Sequence, residues 1–148
     1  MTTKNYLKQI SRFEFMIANK KREIDNLDIM IHGTTSSGIN PDKVQTSVNG
    51  DKMADSVGKL VDLQKEIEGL MTLYIMQRKE IIEQIDSLEN TKSYVVLTDM
   101  YVNKMSFYEI ADELHCSKRN VELFLKNGLN EFEDKFGVNY LDNPTLFS

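Results

Sequence analysis

Two series of apolar residues at seven-residue spacing constrain this chain more than any other feature. In the first, Tyr6, Ile10, Phe13, Ile17, Ile24, Leu27 and Ile31 alternate steps of four and three, with Lys20 filling one place. In the second, Met53, Val57, Leu60, Gln64, Ile67, Met71, Tyr74, Arg78, Ile81, Ile85 and Leu88 keep the same alternation. That period specifies a helix with a single apolar seam. The second series runs for about 36 residues, roughly 54 Å as a straight helix. A chain of 148 residues builds no core that encloses such a rod, so the rod needs a partner along its length. The stretch between them, HGTTSSGINPDKVQTSVNG, is rich in Gly, Ser, Thr and Asn and predicts a long connection at 33–50, with Asp51 starting the second rod. The nearest partner for each rod is then the other, folded back antiparallel.

The expected fold class is all-α. A long antiparallel, coiled-coil-like helical hairpin occupies residues 1–90, a small three-helix domain 91–136, and a tail 137–148. A register that pairs Ile17 with Ile67 and Phe13 with Met71 also sets Lys20 opposite Gln64. The two polar interruptions then share a layer, which spares Lys20 the desolvation cost of facing only Ile. A shift by one heptad aligns the seams equally well. A second stripe on the long rod, Leu63, Leu70, Leu73 and Ile82, exceeds what a two-helix hairpin covers. It predicts an oligomerisation surface and a homodimer; packing beneath the C-terminal helices is the alternative. The tail carries Tyr140, Leu141, Leu146 and Phe147, apolar enough to dock on the three-helix core or on a partner.

The C-terminal third is read from local signals. Tyr94, Val95, Leu97, Met100 and Tyr101 predict a short amphipathic helix, with a break near Asn103–Met105. Ser106 followed by Glu109 is a capping box. Ile110, Ala111 and Leu114 form the inner face of the helix it starts. Ser117 caps the next, whose inner residues are Val121, Phe124, Leu125, Leu129, Phe132 and Phe136. This is helix-turn-helix spacing. The small Ala111 admits the tight crossing, and Val121, ten positions on, fills the angle. Cys116 falls on a core position. His115 stands where such turns often carry glycine, and histidine reaches positive φ more readily than most side chains. Gly128 lies on the buried stripe of the last helix, where it predicts close packing of another helix.

The segment SFYEIADELHCSKRNVELFLKNGLNEF resembles the last segment of sigma factors, the part that reads a promoter's upstream hexamer. VQTSVNGDKMADSVGKLVDL, after a heptad-bearing N-terminus, is similar to a family of small phage and prophage proteins with sigma-like C-terminal domains. Their layout is that of late-gene transcription regulators of the ArpU and RinA type, and the likeness covers most of residues 5–136. It implies DNA binding, transcription control and contact with RNA polymerase.

In a helix-turn-helix the second helix enters the major groove N-terminal end first. The candidate DNA-binding residues there are Ser117, Lys118, Arg119, Asn120, Glu122 and Lys126. Ser117 and Lys118 suit phosphates, helped by the helix N-terminus. Arg119 and Asn120 offer bidentate contacts to guanine and adenine edges, and Glu122 can accept from cytosine. Lys104 and Tyr108 can hold the backbone from the preceding turn and helix. The expected partners are double-stranded DNA, RNA polymerase and a second copy of the chain.

Charge opposes this reading. The whole chain carries −5, and within 91–136 Lys92, Lys104, Lys118, Arg119, Lys126 and Lys135 face eight acids. Few phosphate contacts make for weak sequence-independent binding. Two copies, or tethering to polymerase, would offset that through effective concentration. The rival reading is a protein–protein interaction module, an adaptor or inhibitor, in which the helix-turn-helix is only a scaffold.

Other classes find little support. One cysteine and two histidines, His32 and His115, make no metal-ligand pattern, so neither metal nor cofactor is expected. Cys116 has no histidine and carboxylate arrangement around it, so no catalytic residue is expected and the chain reads as a non-enzyme. No apolar run approaches the ~20 residues that span a bilayer. MTTKNYLKQISRF lacks the apolar core of a signal peptide. A single cysteine, which allows no internal disulfide, suits the cytoplasm.

Overall fold

The computed structural model describes residues 1–33 and 48–143. The chain is all-helical, with no strand among the described residues. The six α-helices among the described residues are α1 (Thr3–Leu7), α2 (Gln9–His32), α3 (Val48–Asp86), α4 (Thr91–Leu97), α5 (Phe107–Leu114) and α6 (Lys118–Phe136). A π-helical segment, Thr98–Val102, continues α4, and a 3-10 turn, Gly137–Asn139, follows α6. The chain divides into two compact units, one of Met1–Arg12 with Tyr74–Ser148, the other Phe13–Leu73. Residues 1–12 and 74–90 of the expected hairpin thus group with the C-terminal helices. Most of the 33–50 connection lies outside the described residues, and α3 starts at Val48, three residues before the expected Asp51.

In the unit Phe13–Leu73, α2 and α3 run side by side. Lys20 Nζ meets Glu66 Oε2 at 3.1 Å, not the expected layer-mate Gln64. Phe13, Ile17, Leu63 and Ile67 are buried, whereas Gln64, Met53, Val57 and Met71 are exposed. The seam on α3 thus passes through Leu60, Leu63, Ile67 and Leu70. A seven-residue repeat fixes Leu60 and Ile67 but leaves the intervening place to either of two adjacent positions. Burial takes Leu63 over Gln64, because desolvating an amide costs free energy that an aliphatic side chain does not. Of the expected stripe, Leu63 is buried and Leu70 half-buried within one chain, while Leu73 is 44% exposed.

In the other unit, Tyr6, Leu7, Ile10, Ile81, Ile85, Leu88, Leu97, Tyr101, Phe132 and Tyr140 form one core. The expected register sets Tyr6 opposite Arg78; its hydroxyl instead donates to Gln84 Oε1 at 2.9 Å, six residues further along α3. The tail docks as far as it is described. Tyr140 stacks on Tyr6 with ring centroids 4.3 Å apart, and its hydroxyl lies 2.9 Å from Thr3 Oγ1. The Met1 ammonium donates to the Leu141 carbonyl at 2.9 Å. Burial of these rings raises the hydroxyl pKa of Tyr6, Tyr101 and Tyr140. Leu146 and Phe147 lie outside the described residues.

Gly128 does what its position predicts. A Cβ there would lie 3.3 Å from Leu97 Cγ and from both Cα and Cβ of Ser93, so α4 crosses α6 at near backbone contact. The inner face of α4 differs from the expected one: Ser93, Val96 and Leu97 are buried, while Tyr94 is 37% exposed. Beyond α4 the π-helical step adds a residue to a turn and resets the phase, so Asp99 turns inward beside the expected Tyr101.

Candidate nucleic-acid interface

Local chemistry sets the interface in place. Ser106 Oγ accepts from the Glu109 N–H at 3.3 Å and Glu109 Oε2 accepts from the Ser106 N–H at 2.9 Å, so α5 starts on a complete capping box. It ends at His115, whose φ of 51° and ψ of 45° place it in the left-handed region. This is the turn position where glycine is common, and a Cβ-bearing residue there is strained. His115→Gly should stabilise the fold by about 0.5–1 kcal/mol, since relief of left-handed strain outweighs the added chain entropy. A lowered urea midpoint for the variant would contradict it.

Ser117 then caps α6, its Oγ accepting from the Asn120 N–H at 3.2 Å. Ile110 and Val121 are fully buried and Ala111 nearly so, together with Val96. They lock α5 against α6 through the residues that spacing alone assigns. Cys116 is half-buried at the edge of the same cluster.

This frame leaves one edge of α6 to solvent. Ser117, Lys118, Arg119, Asn120, Glu122 and Lys126 are all exposed, as are Lys104 and Tyr108 on the α5 side. The first turn of α6 contains no acid, so the helix itself sets no negative charge against the positive end of its dipole. Lys118 is oriented by α5: its Nζ lies 5.0 Å from the Tyr108 ring centroid and 5.8 Å from that of Phe107, within cation–π range. Lys104 has a φ of 56°, the second strained residue of this region. Sequence reading passed over Leu123. It is 52% exposed and one turn beyond Arg119, an apolar side chain among the polar ones. Its signal was its place on the stripe of Arg119 and Lys126 rather than with Val121 and Phe124. An aliphatic group there can meet a thymine methyl.

Behind α5 sits an acidic pair. Asp99 is buried, and its Oδ1 accepts from Asn103 Nδ2 at 3.1 Å. A hydrogen bond with Asp99, desolvation and the Asp99 charge together raise the Glu113 carboxyl above its ordinary 4.5. The protonated form is thus favoured in the folded state. Its contribution is complete below 4.5 and fades as pH rises through the raised value. Glu113→Gln supplies a donor at every pH, so the variant's melting temperature should lose this decline between acid and neutral pH. Parallel melting curves for variant and wild type across that range would contradict the pairing.

Among the described residues no group of three metal-ligating side chains comes together, and no helix is long and apolar enough to cross a membrane. No curated protein and no solved structure matches the chain. A family model does, over residues 33–132: the chain belongs to the family described as protein of unknown function (DUF1492).

Proposed function

We propose that this chain is a DNA-binding transcription regulator of phage or prophage type, acting in a bacterial host cytoplasm. In this reading α6 reads the major groove of double-stranded DNA, and the helical hairpin serves assembly or contact with RNA polymerase. The observation that carries it is the exposed start of α6, where Lys118, Arg119 and Asn120 project from an acid-free helix N-terminus capped by Ser117. Lys118 beside the N-terminal amides suits a phosphate, and Arg119 and Asn120 suit base edges. The stacking of Lys118 on Tyr108 supports it, because a lysine already oriented loses less conformational entropy on binding. The likeness to sigma factors and to ArpU- and RinA-type regulators supports the same class.

One observation favours the rival, a protein–protein interaction module. Residues 91–136 hold eight acids against six basic residues, and Glu109, Asp112 and Glu113 are exposed on α5. Selection of bound duplexes from a random library with the full chain, at stated salt and with and without RNA polymerase, separates the two. Enrichment of one site supports DNA reading. A library unchanged after repeated rounds under both conditions replaces it with the interaction module.

A further inference from the structure

The reading above needs two copies to offset sparse phosphate contacts, and the surface that would join them differs from the stripe the sequence suggests. Along α3, Tyr74, Ile75, Arg78, Lys79, Ile82 and Glu83 line an open recess of about 600 Å³. Ile82 is shared with a second recess of about 260 Å³, whose walls include Asp86, Tyr94 and Val102. All these residues belong to one unit of the chain. Ile75 is 61% exposed and Tyr94 37%, so the two recesses, joined at Ile82, present apolar side chains to solvent among charged ones.

Charge is distributed along that strip unevenly. Arg78 and Lys79 lie to the N-terminal side of Ile82, Glu83 and Asp86 to its C-terminal side. Neither Arg78 nor Asp86 has an ion-pair partner among the described residues. Lys79 reaches Glu83 at 3.8 Å, but both are largely exposed, so that pair holds little. A strip that is basic at one end, acidic at the other and apolar between is complementary to itself turned end for end. A two-fold operation performs that turn, and isologous interfaces require such self-complementarity.

We infer that this strip of α3 is the homodimer interface, with two copies packed antiparallel about Ile82. The Arg78–Lys79 end of each copy lies against the Glu83–Asp86 end of the other. Ile82 supplies the apolar centre, with the charged pairs on either side of it setting orientation, and Ile75 extends the apolar surface beyond the basic end.

The test uses charge reversal in the full-length chain and needs no DNA, so its failure is distinct from failure of the DNA reading. Sedimentation equilibrium of the wild type should give about twice 17.1 kDa at micromolar concentration. Two variants, Arg78→Glu with Lys79→Glu, and Glu83→Lys with Asp86→Lys, each set like charges together at both ends. Each alone should dissociate about tenfold more readily or worse. Mixed one to one they form a pair complementary at both ends, and the dimer should return. Circular dichroism melting of each variant establishes that it remains folded, and Ile82→Glu, which leaves both charged ends intact, should also give monomer. A monomeric wild type, reversed variants that dimerise as well as wild type, or a mixture that stays monomeric would each overturn the assignment.

Discussion

Phe132→Ala should cost about 3–5 kcal/mol, the largest single-residue loss expected in the molecule. Phe132 is fully buried, and its ring lies 5.0 Å from that of Phe136, 6.0 Å from Tyr6 and 6.2 Å from Tyr140. These rings come from the start of the chain, from α6 and from the turn after it. Truncation therefore opens a cavity where three segments meet, and none of them can collapse into it without moving another. The aromatic contacts add about 0.5–1.5 kcal/mol beyond area burial. Phe15 is the matched control: 72% exposed, it should tolerate alanine within about 0.5 kcal/mol. Urea unfolding by circular dichroism measures both. A midpoint for Phe132→Ala within error of the Phe15→Ala midpoint would contradict this account of the core.

The second large effect concerns recognition. Arg119 is exposed at the second helical position of α6, where a side chain reaches base edges; Lys118, beside it and stacked on Tyr108, is better placed for a phosphate. The two roles have different signatures. Arg119→Ala should weaken the preferred site by about 1–3 kcal/mol and relax preference at one base position. Lys118→Ala should weaken all sequences alike and lower the salt slope by about one unit. Glu122→Gln should change little unless Glu122 accepts from a cytosine. Competition binding against a duplex library at two salt concentrations resolves all three. Loss of neither affinity nor preference in both Arg119→Ala and Lys118→Ala would remove α6 as the reader.

How legible each feature was in the sequence follows from the range of the interaction behind it. Ser106 with Glu109, Ser117, His115 and the Ala111–Val121 pair act within a few residues, and the structure places each in the local role its spacing assigns. Gly128 was legible because a helix interior tolerates glycine poorly without a close neighbour, and Ser93 and Leu97 are that neighbour. The seam of α3 was half legible. Seven-residue spacing fixes Leu60, Ile67 and Ile81, yet the choice of Leu63 over Gln64 depends on what α2 presents. Pairing of Tyr6 with Gln84 rather than Arg78 reflects the same freedom, since helices with repeating seams slide by nearly a heptad at small cost. Grouping of residues 1–12 with the C-terminal helices was not legible at all. It rests on Thr3, Tyr6 and Met1 meeting Tyr140, Glu133 and Leu141, contacts more than 100 residues apart that no local pattern encodes. The π-helical step left no sequence mark, and with it went the burial of Asp99.

The central claim is that the start of α6 reads a DNA sequence, and a titration of the full-length chain tests it most directly. The most enriched duplex from the library and a scrambled duplex of equal length are titrated at two salt concentrations, with RNA polymerase present and absent. The account predicts tighter binding to the enriched duplex by 10-fold or more, about 1.4 kcal/mol, with a preference that persists as salt rises while affinity for both falls. Equal affinity for the two duplexes at both salt concentrations, or no binding to either with polymerase present, would contradict it.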